Sequence, residues 1–454
     1  MRQKLNRQLN LFTSASSNPI AKELAEVSQI LDANPQLIDH VYQDLTRTRR
    51  RDTGREGMTA EQVLRCAFLK QYRQLSYEEL AFHLEDSSAF RAFSCLEMAQ
   101  NPCKLVLQEN IKMLTEDTWE AIHREVLGYA HRENIETGRK VRIDSTAIET
   151  DIHHPTDATL LFDGIRIISR WLAAGKQLSP QPAYVFSDHM RVAKRRMLAI
   201  LNARKDKVRL SAYRDLISHA ERVVDYAVAA IPELSSFVGT DIRDSLAALG
   251  LARNLERAVG ILRKVIGQTV RRVIRGEKVP ASEKVVSFFE EHTDIIVKDR
   301  RDTQFGHKAF LTGGASTLIL DCLLERGNPA DSERYQHLLE RHAEQYGKMP
   351  RQVSADGGFA SRDNLAFAKE HDVQDAVFAK RRGLSVLDMA KSNWVYKKLR
   401  NFRAGIEAGI STLKRAFGLD RCTWSGWEGF KRYVLSSIVS YNLLVLARTR
   451  LAKV

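Results

Sequence analysis

Apolar residues recur at helical spacing through the first part of the chain. Ile20–Leu31 and Gln36–Leu45 each predict one helix, and Met58–Arg132 predicts a series of helices. Two capping-box patterns mark helix starts in this region, Thr59 with Gln62 and Ser76 with Glu79.

The segment Leu75–Phe93 predicts two short helices joined near Asp86–Ser88. Short helices joined by a tight turn are typical of a helix-turn-helix-like DNA-binding module. They also fit a plain helical bundle, and the spacing alone leaves both interpretations open.

The pattern changes at Lys140–Thr146, where Val141 and Ile143 alternate with polar residues. This alternation predicts a short, central strand that ends at Asp144.

Helical spacing returns over residues 160–285. Lys207–Ile231 predicts one helix, which we expect Pro232 to end. Asp241–Arg275 predicts a second, and the two could form an antiparallel hairpin.

After Pro280, predicted strands and helices alternate. Gly313-Gly314 separates the first two strands in the manner of a hairpin, and Asp331 or Ser332 is expected to cap the first helix. A loop rich in Arg and Lys precedes the helix that contains Glu407. The predicted strands are His307–Thr312, Thr317–Leu323, Gln352–Ala355 and Ala376–Ala379. The predicted helices are Asp331–Tyr346, Ser361–His371, Asn401–Phe417 and Gly429–Arg448.

The charge of the chain points to a polyanionic partner. The formal net charge of the 454 residues is +14 and the pI is near 9.5, and nucleic acid is the commonest polyanion. Residues 191–276 contain 18 Lys or Arg against 8 Asp or Glu and so carry +10 of this charge. The clusters Lys194-Arg195-Arg196 and Arg271-Arg272 are therefore candidate DNA contacts, although basic helical faces are often merely solvated. The basic segment Arg49–Gly57 is either a phosphate-gripping arm or a solvated linker.

The cysteines and the apolar runs exclude several classes of protein. The five scattered cysteines form no C-x-x-C pair, which argues against a zinc site or a disulfide framework and fits a reducing cytoplasm. The opening residues MRQKLNRQLN lack the apolar region of a signal peptide. Val434–Ala447 is too short, and with three serines and one asparagine too polar, to span a membrane.

The predicted helix Asn401–Phe417 contains a charged stripe. At about 100° per residue, Arg403 lies roughly 40° and Lys414 roughly 20° from Glu407, all on one side. Gly405 and Gly409 point away from this stripe, which suggests close packing against the back of the helix. Taken alone, the pair Arg403 and Glu407 could equally be a surface salt bridge.

Three carboxylates form the candidate chemistry. Asp144 and Asp356 follow predicted strands, and Glu407 lies on the later helix. Carboxylate oxygens are hard ligands that suit Mg²⁺ or Mn²⁺, and two such ions about 4 Å apart promote phosphodiester chemistry. His153 and His154 have no third ligand at suitable spacing and are expected in a loop. The other acids that could take these places are Asp151, Asp157, Asp294, Asp299 and Asp302.

The motifs around these acids resemble those of DDE transposases, most closely insertion-sequence families four and five. RIDST (Arg142–Thr146) resembles the strand of the family's first Asp, and ADGGFAS (Ala355–Ser361) the turn of its second. The spacing Arg403-x₃-Glu407-x₆-Lys414 matches the signature around the family's Glu. FGHKAFLT (Phe305–Thr312), GNPADS (Gly327–Ser332) and the segment Leu75–Phe93 add to the resemblance, which covers roughly residues 58–158 and 293–448.

The resemblance implies a fold of class α/β plus all-α with an RNase H-like mixed sheet. It divides the chain into N-terminal helices and a basic linker (1–57), a helical DNA-binding domain (58–137), a catalytic domain (138–159 and 286–450) and a basic helical insertion (160–285). The insertion lies within the 212 residues that separate Asp144 from Asp356, a spacing longer than is usual in relatives.

The resemblance also implies a function. Asp144, Asp356 and Glu407 would bind two Mg²⁺ or Mn²⁺ ions, while Arg403, Lys414 and, more weakly, Lys308 would contact DNA phosphates. The protein would cut at the ends of its element and join them to target DNA, as at least a homodimer, at the bacterial nucleoid in the cytoplasm. Arg400 stands where the family signature has a Tyr, which leaves the role of that Tyr unassigned.

Two alternatives remain open at this level. One is an RNase H-like, structure-specific nuclease without a joining step. The other is a catalytically dead, transposase-derived DNA-binding regulator, against which the intact set of acids argues. Tyrosine and serine recombinases are disfavoured because their nucleophile motifs are absent from the sequence.

Overall fold

The computed structural model describes Lys4 and residues 18–47, 57–298 and 302–453. Most of the predicted basic segment Arg49–Gly57, and Asp299, lie outside the described residues. The chain divides into two compact units, which we call the main unit (residues 1–151 and 306–454) and the inserted unit (residues 152–305).

Helices make up most of the described chain, and the helical regions predicted from apolar spacing are confirmed, except that the helix predicted to start at Asn401 already begins at Asn393. In chain order they are α1 Pro19–Asp32, α2 Gln36–Thr46, α3 Ala60–Tyr72, α4 Tyr77–Asp86, α5 Ser88–Phe93, α6 Lys104–Lys112, α7 Glu116–Arg132, α8 Asp157–Gly175, α9 Met190–Asn202, α10 Asp206–Ser235, α11 Ile242–Thr269, α12 Asp331–Tyr346, α13 Arg362–Glu370, α14 Val386–Met389, α15 Asn393–Ala416 and α16 Trp427–Leu451.

Both predicted capping boxes are present, at the starts of α3 and α4. Thr59 and Ser76 each accept a hydrogen bond from the backbone three residues on, and Gln62 and Glu79 accept one in return. Each exchange satisfies backbone N–H groups that have no partner within the helix.

The strands form one mixed sheet with β1 in its middle. They are β1 Lys140–Thr150, β2 Asp294–Lys298, β3 Asp302–Gly313, β4 Ile319–Glu325, β5 Gln352–Ala355, β6 Asp375–Phe378 and β7 Arg421–Cys422. The order is β2-β3-β1-β5-β6, with β4 paired to β3 and β7 paired to β1. β1 runs antiparallel to β3 and parallel to β5 and β7, and β5 runs parallel to β6.

The strand β1 is longer than the sequence pattern predicts. It continues from Asp144 to Thr150, because β3 pairs with it as far as Glu149 and β7 pairs with its last two residues. β5 stops at Ala355, opposite Ile143. The prediction that β1 ends at Asp144 was therefore wrong, although Asp144 does lie at the level where β5 ends.

Helix α16 lies in the core of the main unit, where it packs on α1, α3 and α7. Ser436, Ser437 and Asn442 of this helix are buried and hydrogen-bonded. Gln71 donates to Ser436 at 2.8 Å, and Asn442 donates to the carbonyl of Ile319 at 2.7 Å. Within the described residues, no helix has both the length and the apolar character that crossing a bilayer requires.

The inserted unit has an apolar core of its own, built by α8, α9, α10 and α11. Helices α10 and α11 pack along each other, as the predicted hairpin requires. The prediction that Pro232 ends α10 was wrong, because the helix continues past it to Ser235. A proline this close to a helix end removes one backbone hydrogen bond near the terminus, where little of the helix depends on it. A π-helical turn, Val270–Ile274, follows α11.

The start of α12 also differs from the prediction. The helix begins at Asp331 with Ala330 as its N-cap, and no side chain caps it. The Asp331 carboxylate is instead engaged by Lys308 at 2.7 Å.

Candidate active site

The register of β1 and β5 brings two of the predicted acids side by side. Ile143 is opposite Ala355 in the parallel pair, so the next residues of the two strands, Asp144 and Asp356, are neighbours. The backbone N–H of Asp356 donates to the carbonyl of Ile143 at 3.2 Å, which ties the end of β5 to β1 beside Asp144. Two acids separated by 212 residues in the sequence therefore meet at one level of the sheet.

Helix α15 lies across these strands and is held there by buried polar contacts. Arg142, only 5% exposed, donates to the carbonyl of Phe402 at 3.1 Å and stacks over the Phe402 ring at 4.6 Å. Ser354 of β5 donates to the carbonyl of Leu399 at 2.8 Å. Arg142 and Asp144 are two apart on β1 and so share one face of the sheet, the face that α15 covers.

Gly405 makes this approach of the helix possible. A Cβ at residue 405 would lie well inside 3.0 Å of the Arg142 guanidinium, a distance that real Cβ atoms essentially never show. The close packing predicted behind the charged stripe is therefore present at Gly405. At Gly409 the nearest atom to such a Cβ would be Tyr441 Oη at 3.4 Å, an ordinary contact.

The guanidinium of Arg403 lies between all three predicted acids. Its Nη1 is 3.1 Å from Asp144 Oδ2 and 3.4 Å from Asp356 Oδ1, and its Nη2 donates to Glu407 Oε1 at 2.6 Å. Because Asp144 and Asp356 contact the same nitrogen, their oxygens are no farther apart than the sum of those two distances. A pair of ions about 4 Å apart could be held by carboxylates at such a separation.

The three acids differ in their exposure to solvent. The side chain of Asp144 is 14% exposed, that of Asp356 40% and that of Glu407 54%. Burial raises the pKa of Asp144 to about 6, and the negative charges of Asp356 and Glu407 add to this rise. The backbone N–H of Ser145, which donates to Asp144 at 2.8 Å, and the Arg403 guanidinium oppose the rise in pKa. Asp144 therefore has a raised pKa even with Arg403 in place, chiefly because it is buried.

The glycines after Asp356 shape the adjoining turn. Asp356 Oδ2 accepts a long hydrogen bond of 3.5 Å from the N–H of Gly358, at the start of a 3₁₀ turn over Gly357–Phe359. A Cβ on Gly357 would clash with the Lys380 side chain, and one on Gly358 would clash with the Asp331 carboxylate. The DGG sequence is therefore required by close packing on both sides of the turn.

The predicted phosphate-binding residues of the main unit have carboxylate partners. Lys414 is 3.2 Å from Asp420, whose side chain is 68% exposed. Lys308 is half-buried and pairs with Asp331 at 2.7 Å, so a phosphate would have to compete with that ion pair. Arg400, in the place of the family Tyr, is exposed.

One cationic residue near the acids was not singled out from the sequence. Lys380 is exposed, its stem packs over Gly357, and among the described residues it has no ion-pair partner. It lies two residues beyond Phe378, which pairs with Ala355, so Lys380 lies at the level of Gly357. The sequence signal was the Lys380-Arg381-Arg382 run, but only the strand register places its first residue beside Asp356.

The basic residues predicted to bind DNA from the inserted unit differ in their surroundings. Arg196 pairs with Asp215, and Arg271 pairs with Glu277 at 3.2 Å and Glu283 at 2.7 Å. Lys194 and Arg195 are exposed on α9 and have no such partner in the described part of the chain.

Arg272 has a structural role within the inserted unit. It donates to both carboxylate oxygens of Asp157, at 3.0 and 3.1 Å, and Asp157 is only 6% exposed. Removing Arg272 would leave a buried charge with less compensation. It is therefore a poor choice for a substitution that should leave the fold intact.

The other acids considered from the sequence have different neighbours. Asp151, at the end of β1, is 62% exposed and lies 3.7 Å from Arg421. His153 lies in the loop that was predicted for it, 3.4 Å from Asp163. In the part of the chain that the structure describes, no three His, Cys, Asp or Glu side chains are placed so that they could hold a metal ion as they stand.

Two family models match the chain. The Transposase DDE domain matches residues 298–443, and the Transposase domain (DUF772) matches residues 15–104. Both matches are to transposase domains, and their combination is typical of insertion-sequence transposases of families four and five. No curated protein and no solved structure is significantly similar to it.

Only two of the three acids lie in a matched range. Asp356 and Glu407 lie inside the DDE match, whereas Asp144 lies between the two matched ranges. The case for Asp144 is therefore its contact with Arg403 and its place beside Asp356. The DUF772 match begins at residue 15 and so includes α1 and α2 as well as α3–α5.

The chemistry of the cluster fits divalent cations. Its donors are carboxylate oxygens, the ligands that Mg²⁺ and Mn²⁺ prefer. Three carboxylates face one guanidinium, so the site is short of positive charge. The cation that the structure places among the acids is the guanidinium of Arg403, which lies where an ion bound by all three would have to be.

Proposed function

We propose that this transposase cuts DNA at the ends of an insertion sequence and joins those ends to target DNA. Its catalytic centre would be Asp144, Asp356 and Glu407, on the sheet and helix of an RNase H-like domain. The observation that carries the proposal is the convergence of the three carboxylates, from β1, the end of β5 and α15, on the single guanidinium of Arg403.

The three acids would hold two Mg²⁺ or Mn²⁺ ions. When bound, such ions activate a water or a 3′-hydroxyl and stabilise the oxygen that leaves the phosphorus. Asp144, the most buried of the three, is fixed by the sheet and by the N–H of Ser145. Asp356 and Glu407 face solvent more openly and would border the side from which DNA arrives.

Cationic side chains around the acids would hold the DNA backbone. Lys380 has no carboxylate partner among the described residues, and Lys414 shares the helical stripe of Arg403 and Glu407. The weak, exposed pair of Lys414 with Asp420 would cost little to exchange for a phosphate. These contacts position the strand and carry no base specificity.

The remaining parts of the chain would serve DNA binding and assembly. The helices matched by DUF772 and the exposed basic face of α9 are the proposed sites for binding the element ends. Cutting and joining two ends requires at least two copies of the chain. As a transposase of a bacterial element, the protein would act on the nucleoid in the cytoplasm.

The deciding experiment uses the purified full chain, labelled duplexes with the element ends, an unlabelled target plasmid and Mg²⁺. A transposase cleaves at the ends and transfers label into the plasmid. Cleavage without transfer, and without a need for paired ends, would favour a structure-specific nuclease. Binding with no cleavage in Mg²⁺ or Mn²⁺ would favour a catalytically dead regulator and contradict the proposal.

A further inference from the structure

A single arginine contacts all three acids of the carboxylate cluster. Nη1 of Arg403 is in contact with Asp144 and Asp356, and Nη2 is in contact with Glu407. The Arg403 side chain is only 15% exposed, although two of its three partners face solvent. A surface ion pair at i,i+4 would explain the contact with Glu407 but not the two contacts with acids on the sheet.

This position and that of a bound divalent ion exclude each other. A guanidinium stays protonated under all ordinary conditions, and an ion held by the same oxygens would lie within about 4 Å of it. Two positive charges at that distance repel by several kcal/mol at the effective dielectric of a protein surface. The guanidinium and the ion therefore cannot both occupy the space between the acids.

We propose that Arg403 is a built-in competitor of the catalytic metal: it offsets part of the negative charge of the three acids while no metal is bound, and it must swing out before they can bind one. The inference rests on the proposed function, since it takes the acids to be metal ligands. Displacement frees the guanidinium, which lies on the stripe of α15 that also contains Lys414, to contact a DNA phosphate. Metal and DNA would then help each other to bind, because the phosphate stabilises the swung-out side chain.

The surroundings of α15 restrict the change to the side chain. Arg142 and Ser354 fix the backbone of the helix at Phe402 and Leu399. On the apolar face of the helix, Leu399, Ile406 and Leu413 are fully buried. The backbone contacts and the buried apolar side chains hold the helix in place. Arg403 therefore leaves the acids by rotation of its side chain and not by movement of the helix.

The test measures binding of Mn²⁺ to the full chain without DNA, by the electron paramagnetic resonance of free Mn²⁺. Arg403→Gln removes the charge and keeps a polar chain, and we expect it to bind Mn²⁺ at least about tenfold more tightly than the wild type. Arg403→Lys keeps the charge, and its affinity should stay within about threefold of the wild type. Adding Asp356→Asn to each background should weaken binding, which would locate the ion at the acids. Thermal melting of each variant reports whether it is folded.

The outcomes separate this inference from the proposed function. Equal or weaker Mn²⁺ binding by Arg403→Gln would overturn the inference, whereas loss of binding on adding Asp356→Asn would still support a metal site. A tenfold gain in Arg403→Lys as well would also overturn it, because a retained charge should still compete. If Asp356→Asn leaves Mn²⁺ binding unchanged in every background, the metal site itself is contradicted. Should Arg403→Gln fail to melt cooperatively, Arg403→Met replaces it with the same expected gain.

Discussion

The guanidinium of Arg142 fills the space that a side chain at residue 405 would need. Gly405 leaves that space open, so that Arg142 can donate to the carbonyl of Phe402 from beneath the helix. The contact fixes α15 against β1, two residues from Asp144. It therefore sets the distance between Asp144 and the two charged residues of the helix, Arg403 and Glu407.

Substituting Gly405 by alanine should disturb the site despite the higher helix propensity of alanine. Alanine gains about 1 kcal/mol in a helix interior, but here its Cβ would displace a buried arginine and break a charged hydrogen bond. We expect a net loss of about 1–3 kcal/mol in the free energy of unfolding, together with slower DNA cleavage. Chemical denaturation and a cleavage assay measure the two effects.

Gly409→Ala is the matched control for this substitution. It lies on the same helix, and its Cβ would make only an ordinary contact with Tyr441. Its stability should stay equal to the wild type or rise by up to about 1 kcal/mol. Equal behaviour of the two alanine variants would show that Arg142 does not position α15.

The burial of Asp144 should make the stability of the metal-free protein depend on pH. Its pKa rises from the ordinary value of 3.8 to about 6 in the folded state, so the folded chain binds more protons than the unfolded chain between these values. The contribution of Asp144 to stability is therefore full below about pH 4 and is lost as the pH rises through 6. Asp144→Asn should remove this loss and become more stable than the wild type by about 2 kcal/mol near pH 7.

Urea denaturation of both proteins in a chelating buffer, from pH 4 to pH 7.5, measures this difference. The difference in unfolding free energy should be small at pH 4 and should grow as the pH rises. A difference that stays constant over the range would mean that Asp144 does not titrate in it.

Lys194 and Arg195 of α9, which have no ion-pair partner in the described part of the chain, should contribute to the salt dependence of DNA binding. Each phosphate contact releases counterions and adds about 0.9 to the slope of log affinity against log salt. Replacing Lys194 and Arg195 by glutamine should therefore lower the slope by up to about two units. Affinity for labelled element ends over a range of salt concentrations measures it.

Arg271→Gln serves as the control in the same unit, because Arg271 already pairs with Glu277 and Glu283. Its slope should stay close to that of the wild type. If the Lys194 and Arg195 variant has the wild-type slope, the basic face of α9 is merely solvated, and the apolar surface of the inserted unit becomes the next part to mutate.

The sequence predicted local structure well and packing poorly. Periodicity and capping boxes located the helices, because a helix depends on residues three and four apart. The end of β1 was misplaced because a strand ends where its partners end, and β3 and β7 continue beyond Asp144 while β5 does not. No local pattern contains that information.

Some features of the candidate site could likewise be predicted from local sequence spacing, and others depend on long-range packing. Helical spacing predicts the contact of Arg403 with Glu407, four residues on, and the glycines indicate close packing behind the stripe. The contacts of Arg403 with Asp144 and Asp356, and the role of Arg142 as the residue beneath Gly405, depend on how α15 lies on the sheet. The same long-range packing places Lys380 beside Asp356.

The central claim is that the three acids around Arg403 form the catalytic centre, and Asp356→Asn tests it most directly. Strand cleavage of labelled element ends in Mg²⁺ would be measured at saturating DNA, with Asp151→Asn, an exposed acid at the end of β1, as the control. We predict that Asp356→Asn binds DNA like the wild type but cleaves only at background, because it loses one carboxylate charge and no volume, while Asp151→Asn cleaves normally. Cleavage by Asp356→Asn at a rate near that of the wild type would contradict the claim and place the active site elsewhere.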